Sequence, residues 1–385
     1  MSMFIKRLRL KNLLSFRDTT VELAPLNVLI GANGSGKSNL IDVIGLLQAA
    51  PDDLQRAVIA GGGPAAWISL AAGAGSSATI EAVLAADAGD RVYGLSFAAS
   101  ANALEVLSES LTDFPDNGAA PYFQRAGGSL AITILDGTKV ESTGADLNTP
   151  GQSVWALYRN PSDRSIEPLR RLLRGIRVYR DFRTSGLYAQ SRYGVSSSHL
   201  QKDTLVDGGD NLALVLSHLD FLGLLGRISE YLKRFNERFS GVRLSIGQIV
   251  QTHLVETGLT RPLTAMRMSD GTLKFLCLLA VLLEPELPPV LCIEEPEVGL
   301  HPEAIQIVAE LLMEASERTQ LVVTTHSEAL VDAMSDRPEA VLVCERDFDN
   351  GTQFRRLKTE DLNLWLERYS LGELWRDGEI GGTRW

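Results

Sequence analysis

The sequence has few cysteines, and none of them stands near another. Cys277, Cys292 and Cys344 are the three cysteines among 385 residues, and each lies inside an apolar run. This spacing excludes the clustered ligands of a zinc site and offers no disulfide framework. The charged start MSMFIKRLRLKN also lacks the apolar segment of a signal peptide. We therefore expect a cytoplasmic protein whose thiols are reduced and buried.

Long hydrophobic runs and a positive net charge are also absent. The longest purely apolar run, FLCLLAVLL, has nine residues, about half of the ~20 that a membrane helix needs. The 37 Lys and Arg residues are outnumbered by 48 Asp and Glu residues, which gives a net charge of −11. That balance excludes a surface coated for general nucleic-acid binding. The sequence has no sustained heptad pattern, so it does not predict a coiled coil. We also expect no membrane partner.

The order of apolar patterns predicts an α/β fold. Strands are predicted at 4–10, 20–23 and 26–30, a helix at 37–48, an antiparallel meander over 79–140 and a helical segment from 211 to 239. After a polar strand pair, the chain alternates between buried strands and helices, which is typical of a parallel sheet. We expect a single head over residues 1–385, divided into segments 1–190, 191–265 and 266–385.

A glycine-rich loop, GANGSGKS, runs from Gly31 to Ser38 between a predicted strand and a predicted helix. In that context the pattern predicts a P-loop, in which backbone N–H groups and the helix N-terminus surround phosphates. Lys37 would meet the β- and γ-phosphates, and the Ser38 hydroxyl would bind Mg²⁺. The predicted nucleotide ligands are Asn33, Gly34, Ser35, Gly36, Lys37, Ser38 and Asn39.

Two later strands end in polar side chains. In PVLCIEEPEVGLHP, Glu294 and Glu295 close an apolar strand, and neighbouring strand residues point to opposite faces. We therefore assign Glu294 to the Mg²⁺ ion and Glu295 to the attacking water as general base. His326 ends the strand VVTTHS, and its imidazole would bond to the γ-phosphate.

The stretch MSDGTLKFLCLLAVLL places a polar turn directly before an apolar helix. Ser269 is a predicted N-cap for a helix that begins near Gly271, and the free N–H groups there form a second anion site. One nucleotide is not easily served by two helix N-termini on the same side. Two copies packed head to tail would solve this, because the second helix of one copy would close on the phosphate of the other.

In this order, GANGSGKS, MSDGT, CIEEPE, GLHP and TTHS resemble the Walker A, signature, Walker B, D-loop and switch-histidine motifs of ABC-type ATPases. The start IKRLRLKNLLSFRDTTVELAPLNVLIGANGSGKSNLID is similar to the RecF/SMC branch, and the whole resembles stand-alone AAA family ATPases related to OLD and RecF proteins. The resemblance implies a P-loop ATPase head with an antiparallel β subdomain and a helical lobe. It also implies a homodimer around two Mg-ATP, in which Ser269, Asp270 and Gly271 act in trans.

The motifs depart from the ABC pattern in three places. Glu294 stands where most ABC proteins have Asp, and the signature reads SDGT rather than SGGQ. The glutamine of the Q-loop also stays open between Gln124, Gln190 and Gln201.

Three further segments carry charge without a settled role. DRSIEPLRRLLRGIRVYRDFR holds arginines from Arg164 to Arg183, which a helix with a solvated basic face explains better than DNA contact. The basic residues between Lys6 and Arg17 alternate with apolar ones and indicate one face of a strand, near the adenine or its phosphates. CERDFDNGTQFRRL would suit a metal-dependent nuclease, but Asp-Asn-Gly between alternating residues predicts a hairpin.

The sequence therefore predicts an ATP-hydrolysing switch protein that dimerises on ATP and acts in DNA repair or antiviral defence. We expect a separate effector or nuclease partner and only weak DNA binding by the protein alone. The alternative is a RecF-like clamp that acts alone on DNA ends or junctions. A transporter subunit is disfavoured by EEPEVGLHP and by the RecF/SMC-like start.

Overall fold

A computed structural model describes most of the chain. The described residues are 4–73, 75–87, 89–100, 103–115, 121–126, 129–133, 139–143, 150–158, 163, 165–184, 195–196 and 203–382. The strands are β1 (Ile5–Leu13), β2 (Phe16–Glu22), β3 (Leu26–Ile30), β4 (Ala78–Leu84), β5 (Arg91–Ser100), β6 (Ala103–Asp113), β7 (Phe123–Ala126), β8 (Ser129–Thr133), β9 (Lys139–Thr143), β10 (Arg177–Tyr179), β11 (Val195–Ser196), β12 (Phe239–Ile246), β13 (Ile249–Glu256), β14 (Leu263–Thr264), β15 (Val290–Glu294), β16 (Gln320–Thr324), β17 (Val341–Asp347) and β18 (Gly351–Arg356). The helices are α1 (Lys37–Ala49), α2 (Leu54–Ala60), α3 (Pro64–Trp67), α4 (Val154–Leu157), α5 (Glu167–Gly175), α6 (Leu212–Phe221), α7 (Leu225–Phe235), α8 (Asp270–Leu282), α9 (Pro302–Ser316), α10 (Glu328–Asp332), α11 (Thr359–Leu366) and α12 (Leu371–Arg376).

One large sheet organises these elements. Among the described residues it has 14 strands in the order β10-β15-β16-β3-β17-β18-β2-β1-β4-β5-β6-β7-β8-β9. The strands from β10 to β17 pair in parallel, and the strands from β18 onward pair antiparallel. The parallel strands β3 and β16 are buried along their whole length, as expected for a sheet covered on both faces. The antiparallel part confirms the predicted meander over 79–140 wherever the chain is described.

The register of the parallel strands determines which residues meet. Glu294 pairs with Thr324 across β15 and β16, and Thr324 pairs with Leu29 across β16 and β3. All three strands therefore end at the same edge of the sheet. Ligands of parallel α/β sheets bind at this carboxyl edge. The P-loop, the acidic pair and His326 all lie at this edge, because each comes at or just after the end of one of these strands.

Two apolar cores lie against the large sheet. One contains α1 and the buried faces of the meander, and the other contains the helices α6, α7, α8 and α9. Every residue of α8 from Thr272 to Leu282 is buried, which explains why its sequence is apolar on all sides apart from Thr272 and Lys274. A second sheet of β11, β13, β12 and β14 adjoins the helical core.

The predicted helical segment from 211 to 239 is two helices rather than one. Gly223 separates α6 from α7 in a left-handed conformation with φ 78°, which glycine adopts without a steric penalty. The second helix ends at Phe235, because Phe239 already pairs with Glu256 in β12 and β13. The division at residues 190 and 265 stays a prediction.

The described residues bear on several smaller expectations. The three cysteines are free and buried. No helix in the described part of the chain is long and apolar enough to cross a membrane. The strands β17 and β18 form the predicted hairpin, whose Asp347 carboxylate accepts hydrogen bonds from the backbone and side chain of Asn350. The acidic residues Glu345, Asp347 and Asp349 form no metal-binding cluster with other described residues.

The arginine segment has exposed arginines, as predicted, but most of its arginines pair with acids. Five of the six described arginines do so: Arg170 and Arg171 with Glu167, Arg174 with Asp52, Arg180 with Asp42 and Glu294, and Arg183 with Asp210. Arg170 is also buried, and its guanidinium donates to the Tyr158 carbonyl at 2.8 Å. Arg164 lies outside the described residues. These charges are used within the fold and leave little to offer DNA phosphates.

The two arginines that share Glu167 provide a matched test of this burial. The Arg170 side chain is 7% exposed and that of Arg171 is 70% exposed. Arg170→Gln removes a buried cation together with its bonds to Glu167 and to the Tyr158 carbonyl, and it should lower the free energy of unfolding by about 3 kcal/mol. Arg171→Gln removes a surface pair and should cost less than about 1 kcal/mol. Urea unfolding measures both, and equal losses would contradict the assigned difference in burial.

Candidate active site

The P-loop connects β3 to α1 and depends on glycine at two positions. Gly31 has φ 154° and Gly36 has φ 111°. A Cβ on Gly31 would lie 2.3 Å from the Cys344 carbonyl oxygen, and a Cβ on Gly36 would lie 2.4 Å from Thr352 Oγ1. Both glycines are therefore required by close packing against the β17–β18 hairpin as well as by backbone conformation.

Lys37 is buried at the start of α1. Its Nζ donates to the Gly31 carbonyl at 2.7 Å and to the Ala32 carbonyl at 3.0 Å. Burial lowers the pKa of Lys37, while the nearby Cys344, Glu295 and Glu297 oppose that shift. The cation is thus held over the loop, which is the position that the P-loop motif predicts for it.

A cluster of hydroxyl groups supports the loop from behind. Thr352 Oγ1 lies 2.7 Å from the Ser35 carbonyl oxygen and 2.7 Å from Ser15 Oγ. Asn39, a predicted nucleotide ligand, donates from Nδ2 to Ser15 Oγ at 2.7 Å. Asn33, Gly34 and Ser38 are exposed, whereas Ser35 is buried. Ser15 and Thr352 were not identified from the sequence, since no local pattern connects them to the loop.

The two carboxylates follow β15 as predicted, but strand alternation does not explain their directions. Glu294 is the last residue of β15, and Glu295 lies beyond it with φ 44°. This left-handed turn, rather than the pleat of a strand, directs the Glu295 side chain. Its Oε1 lies 3.8 Å from His326 Nε2, and both side chains are partly exposed. The structure therefore brings together the two residues that were assigned to the γ-phosphate side.

Glu294 lies among polar partners. Arg180 Nη1 donates to its Oε1 at 2.5 Å, and Arg180 Nη2 donates to Asp42 Oδ1 at 2.6 Å. Burial raises the pKa of Glu294, while the Ser38 hydroxyl, which donates to the carboxylate, and Arg180 oppose that rise. A hydroxyl and a carboxylate in contact suit Mg²⁺, which prefers oxygen ligands and keeps several waters. Ser38 and Glu294 thus fit the predicted magnesium site.

His326 is fixed through its backbone by an acid that sequence reasoning missed. Glu297 is buried, and its Oε1 accepts hydrogen bonds from Thr325 Oγ1 at 2.7 Å and from the His326 N–H at 2.8 Å. Burial and the Lys37 charge lower the pKa of His326, and Glu295 partly opposes them. The imidazole is therefore neutral near pH 7.

The predicted signature turn begins α8. Ser269 is its N-cap, and its Oγ accepts a hydrogen bond from the Thr272 N–H at 3.1 Å. Asp270 and Gly271 form the first turn, and a Cβ on Gly271 would lie 2.7 Å from the Gly299 carbonyl oxygen. The turn thus packs against the segment that follows Glu295. The predicted N-cap is confirmed, whereas an action in trans stays a prediction.

The Q-loop glutamine stays open. Gln124 lies on β7 in the meander, and Gln190 and Gln201 lie outside the described residues.

Comparison with known families identifies the chain. Residues 26–332 match a family described as "AAA domain, putative AbiEii toxin, Type IV TA system", which is more than half of the 385 residues. The chain belongs to this AAA-domain family. A 57-residue stretch is also 47% identical to the DNA double-strand break repair Rad50 ATPase of Sulfolobus acidocaldarius. That stretch covers 14% of this chain and 6% of the relative.

Solved structures of SMC heads share the fold. An SMC head bound to the C-winged helix domain of ScpA aligns with a TM-score of 0.54 at 14% identity, over 93% of this chain and 99% of that chain. An SMC head with an extended coiled coil, bound to the C-terminal domain of ScpA derived from Pyrococcus furiosus, aligns with a TM-score of 0.53 at 12% identity, over 94% and 98% of the two chains. The predicted RecF/SMC-like head fold is confirmed.

The glycines of the loop provide a test of its packing. Gly34 and Gly36 both have positive φ, but a Cβ on Gly34 would meet nothing within 4 Å. Gly34→Ala should therefore cost only the left-handed backbone penalty of about 1–2 kcal/mol. Gly36→Ala adds a clash with Thr352 and should cost about 3 kcal/mol or more. Urea unfolding without nucleotide measures the difference, and equal costs would refute the packing of Gly36 against the hairpin.

Proposed function

We propose that this protein is an ATP-hydrolysing switch that dimerises around two Mg-ATP. The observation that supports it best is the meeting of three distant segments at one sheet edge. Lys37 lies over the P-loop, Ser38 contacts Glu294, and Glu295 lies 3.8 Å from His326. Nucleotide binding follows from membership of the AAA-domain family, and the arrangement of these side chains supports hydrolysis.

The proposed mechanism assigns one task to each group. The loop N–H groups and Lys37 bind the β- and γ-phosphates, where neutralising charge favours phosphoryl transfer. Ser38 and Glu294 would hold Mg²⁺, which supplies further neutralisation of the phosphate oxygens when bound. Glu295 orients the attacking water and accepts its proton as general base.

His326 would act as a neutral hydrogen-bond partner. Because burial and Lys37 lower the pKa of His326, its ring nitrogens differ, and one donates while the other accepts. One ring nitrogen lies within 3.8 Å of Glu295. We infer that the ring links the carboxylate to the γ-phosphate, so that the loss of the phosphate changes the position of both side chains.

The second half of the site would come from another copy of the chain. Ser269, Asp270 and Gly271 begin a 13-residue helix, whose N-terminus favours anions. Gly271 packs on Gly299 of its own chain. We propose that this turn closes on the γ-phosphate of a second copy, as the ABC resemblance implies.

For the biological role we propose DNA repair or antiviral defence in the cytoplasm, together with a separate effector protein. The similarity to the Rad50 ATPase stretch supports repair, and the toxin in the family description supports defence. A clamp that acts alone on DNA is less favoured, because five of the six described arginines of the 164–183 segment pair with acids. We expect weak DNA binding by the protein alone.

Lys37→Ala tests the nucleotide site. Removing the cation that faces the β- and γ-phosphates should lower steady-state phosphate release by more than about a hundredfold. Lys358→Ala, a change at an exposed lysine that directly precedes α11, serves as the control and should keep the wild-type rate. Wild-type turnover in a clean Lys37→Ala preparation would show that the P-loop assignment is wrong.

Glu295→Gln tests the base and the assembly together. The amide keeps the shape of the side chain but accepts no proton, so ATP should stay bound and a dimer should accumulate above the wild-type level. Light scattering with Mg-ATP measures the mass. Adding Ser269→Arg should abolish the ATP-dependent gain, because a bulky side chain blocks the trans contact. A mass that is the same with and without ATP in every variant would contradict an ATP-driven dimer.

A further inference from the structure

Lys274 is a buried cation in an otherwise apolar helix. It lies in the second turn of α8, is 8% exposed, and is the only Lys or Arg of DGTLKFLCLLAVL. Burying an ammonium group is costly unless partners compensate, and burial lowers the pKa of Lys274. A leucine would fill the same space without this cost. The charge therefore needs a reason beyond packing.

The partner of Lys274 is the backbone of Glu295. Its Nζ donates to the Glu295 carbonyl oxygen at 3.1 Å, and the Val298 N–H donates to the same oxygen at 3.2 Å. The Glu295 N–H donates to the Thr324 carbonyl at 3.0 Å. The backbone N–H of Glu295 is therefore held by the neighbouring strand, and its backbone carbonyl is held by α8.

The hydrogen bonds on both sides of Glu295 stabilise a backbone conformation that is unfavourable on its own. Glu295 has φ 44°, a left-handed region that residues with a Cβ occupy only when their surroundings over-determine it. This conformation directs the Glu295 carboxylate toward His326. The Lys274 bond thus stabilises the turn that sets the direction of the proposed base.

Two of the three acids around Lys274 belong to the same turn. Glu297, Asp181 and Glu295 raise its pKa against the effect of burial, with Glu297 first. Glu297 also holds the backbone N–H of His326 and the hydroxyl of Thr325. The charge of Lys274 therefore lies beside the carboxylate that fixes the His326 strand end.

We propose that Lys274 is a positioning residue for Glu295, through which the helix that begins at Ser269 fixes the hydrolytic turn of its own chain. This inference rests on the proposed ATPase function. It gives the signature helix a second task besides the trans contact. A partner that pushes on the Ser269 turn would act on the same rigid helix that holds the Glu295 carbonyl.

Lys274→Met tests this role, because methionine keeps the length and apolar stem but loses the charge and the donor. The turnover number should fall about tenfold or more, since a misdirected base costs rate. The dissociation constant of a ribose-labelled fluorescent ATP should change by less than about twofold, since the Lys274 ammonium donates to the Glu295 carbonyl and not to the P-loop. Lys274→Arg, which keeps a donor, should recover part of the rate. The melting temperature without nucleotide reports folding.

Arg318 provides the matched control. It also donates to backbone carbonyls at the end of α8, to Leu282 at 2.9 Å and to Glu284 at 2.8 Å, but at the opposite end of the helix. Arg318→Met should leave the turnover number unchanged whatever it does to the melting temperature. An equal loss of turnover in both variants would show that Lys274 acts only through the stability of α8.

A double variant separates positioning from a general structural effect. If Lys274 acts through Glu295, adding Lys274→Met to Glu295→Gln should change the single-turnover rate by less than about twofold. Should Lys274→Met not fold, Lys274→Gln is compared in the same way. Wild-type turnover in a folded Lys274→Met protein would overturn the inference alone. No turnover in the wild type itself would instead overturn the proposed function.

Discussion

The site depends on the parallel pairing of β3, β15 and β16. Thr324 lies opposite Glu294 on one side and opposite Leu29 on the other. A slip of one residue in either pair would move every side chain of that strand to the other face. Since these strands are buried on both faces, such a slip would exchange the side chains that pack in the two cores. The P-loop, the carboxylates and His326 are therefore brought together by the packing of apolar residues that take no part in chemistry.

A second constraint is electrostatic, because this edge collects charges that are largely removed from water. The buried cations Lys37 and Lys274 both have Glu295 and Glu297 as neighbouring negative charges. Arg180 is bound between Asp42 and Glu294. Isolated buried charges are unstable, whereas hydrogen-bonded sets of opposite sign are tolerated. The site is thus already balanced within the chain, and an added triphosphate must displace contacts such as those from Lys37 to the loop carbonyls.

The sequence was sufficient for features that are local. The P-loop between β3 and α1, the Ser269 N-cap and the β17–β18 hairpin all follow from spacing and residue type. It was not sufficient for partners that lie far away in the chain, such as Thr352 behind the P-loop or Lys274 on the Glu295 carbonyl. Periodicity indicates which face of an element is buried, but not which polar group lies opposite. For the same reason the arginines after Arg164 suggested a basic surface, although the acids that pair with Arg174, Arg180 and Arg183 come from distant parts of the chain.

Two departures from the ABC pattern have physical explanations in this structure. Glu294 has one methylene more than the usual Asp, and its carboxylate still reaches the Ser38 hydroxyl from the last position of β15. A metal ion at this position would compete with Arg180 for the same oxygen, so the longer acid is bound to an internal cation when it is not bound to a metal. Asp270 lies in the first turn of α8, where a negative side chain stabilises the helix N-terminus. In the proposed dimer this carboxylate would face a triphosphate, which leaves the neighbouring backbone N–H groups and Ser269 to make the contact.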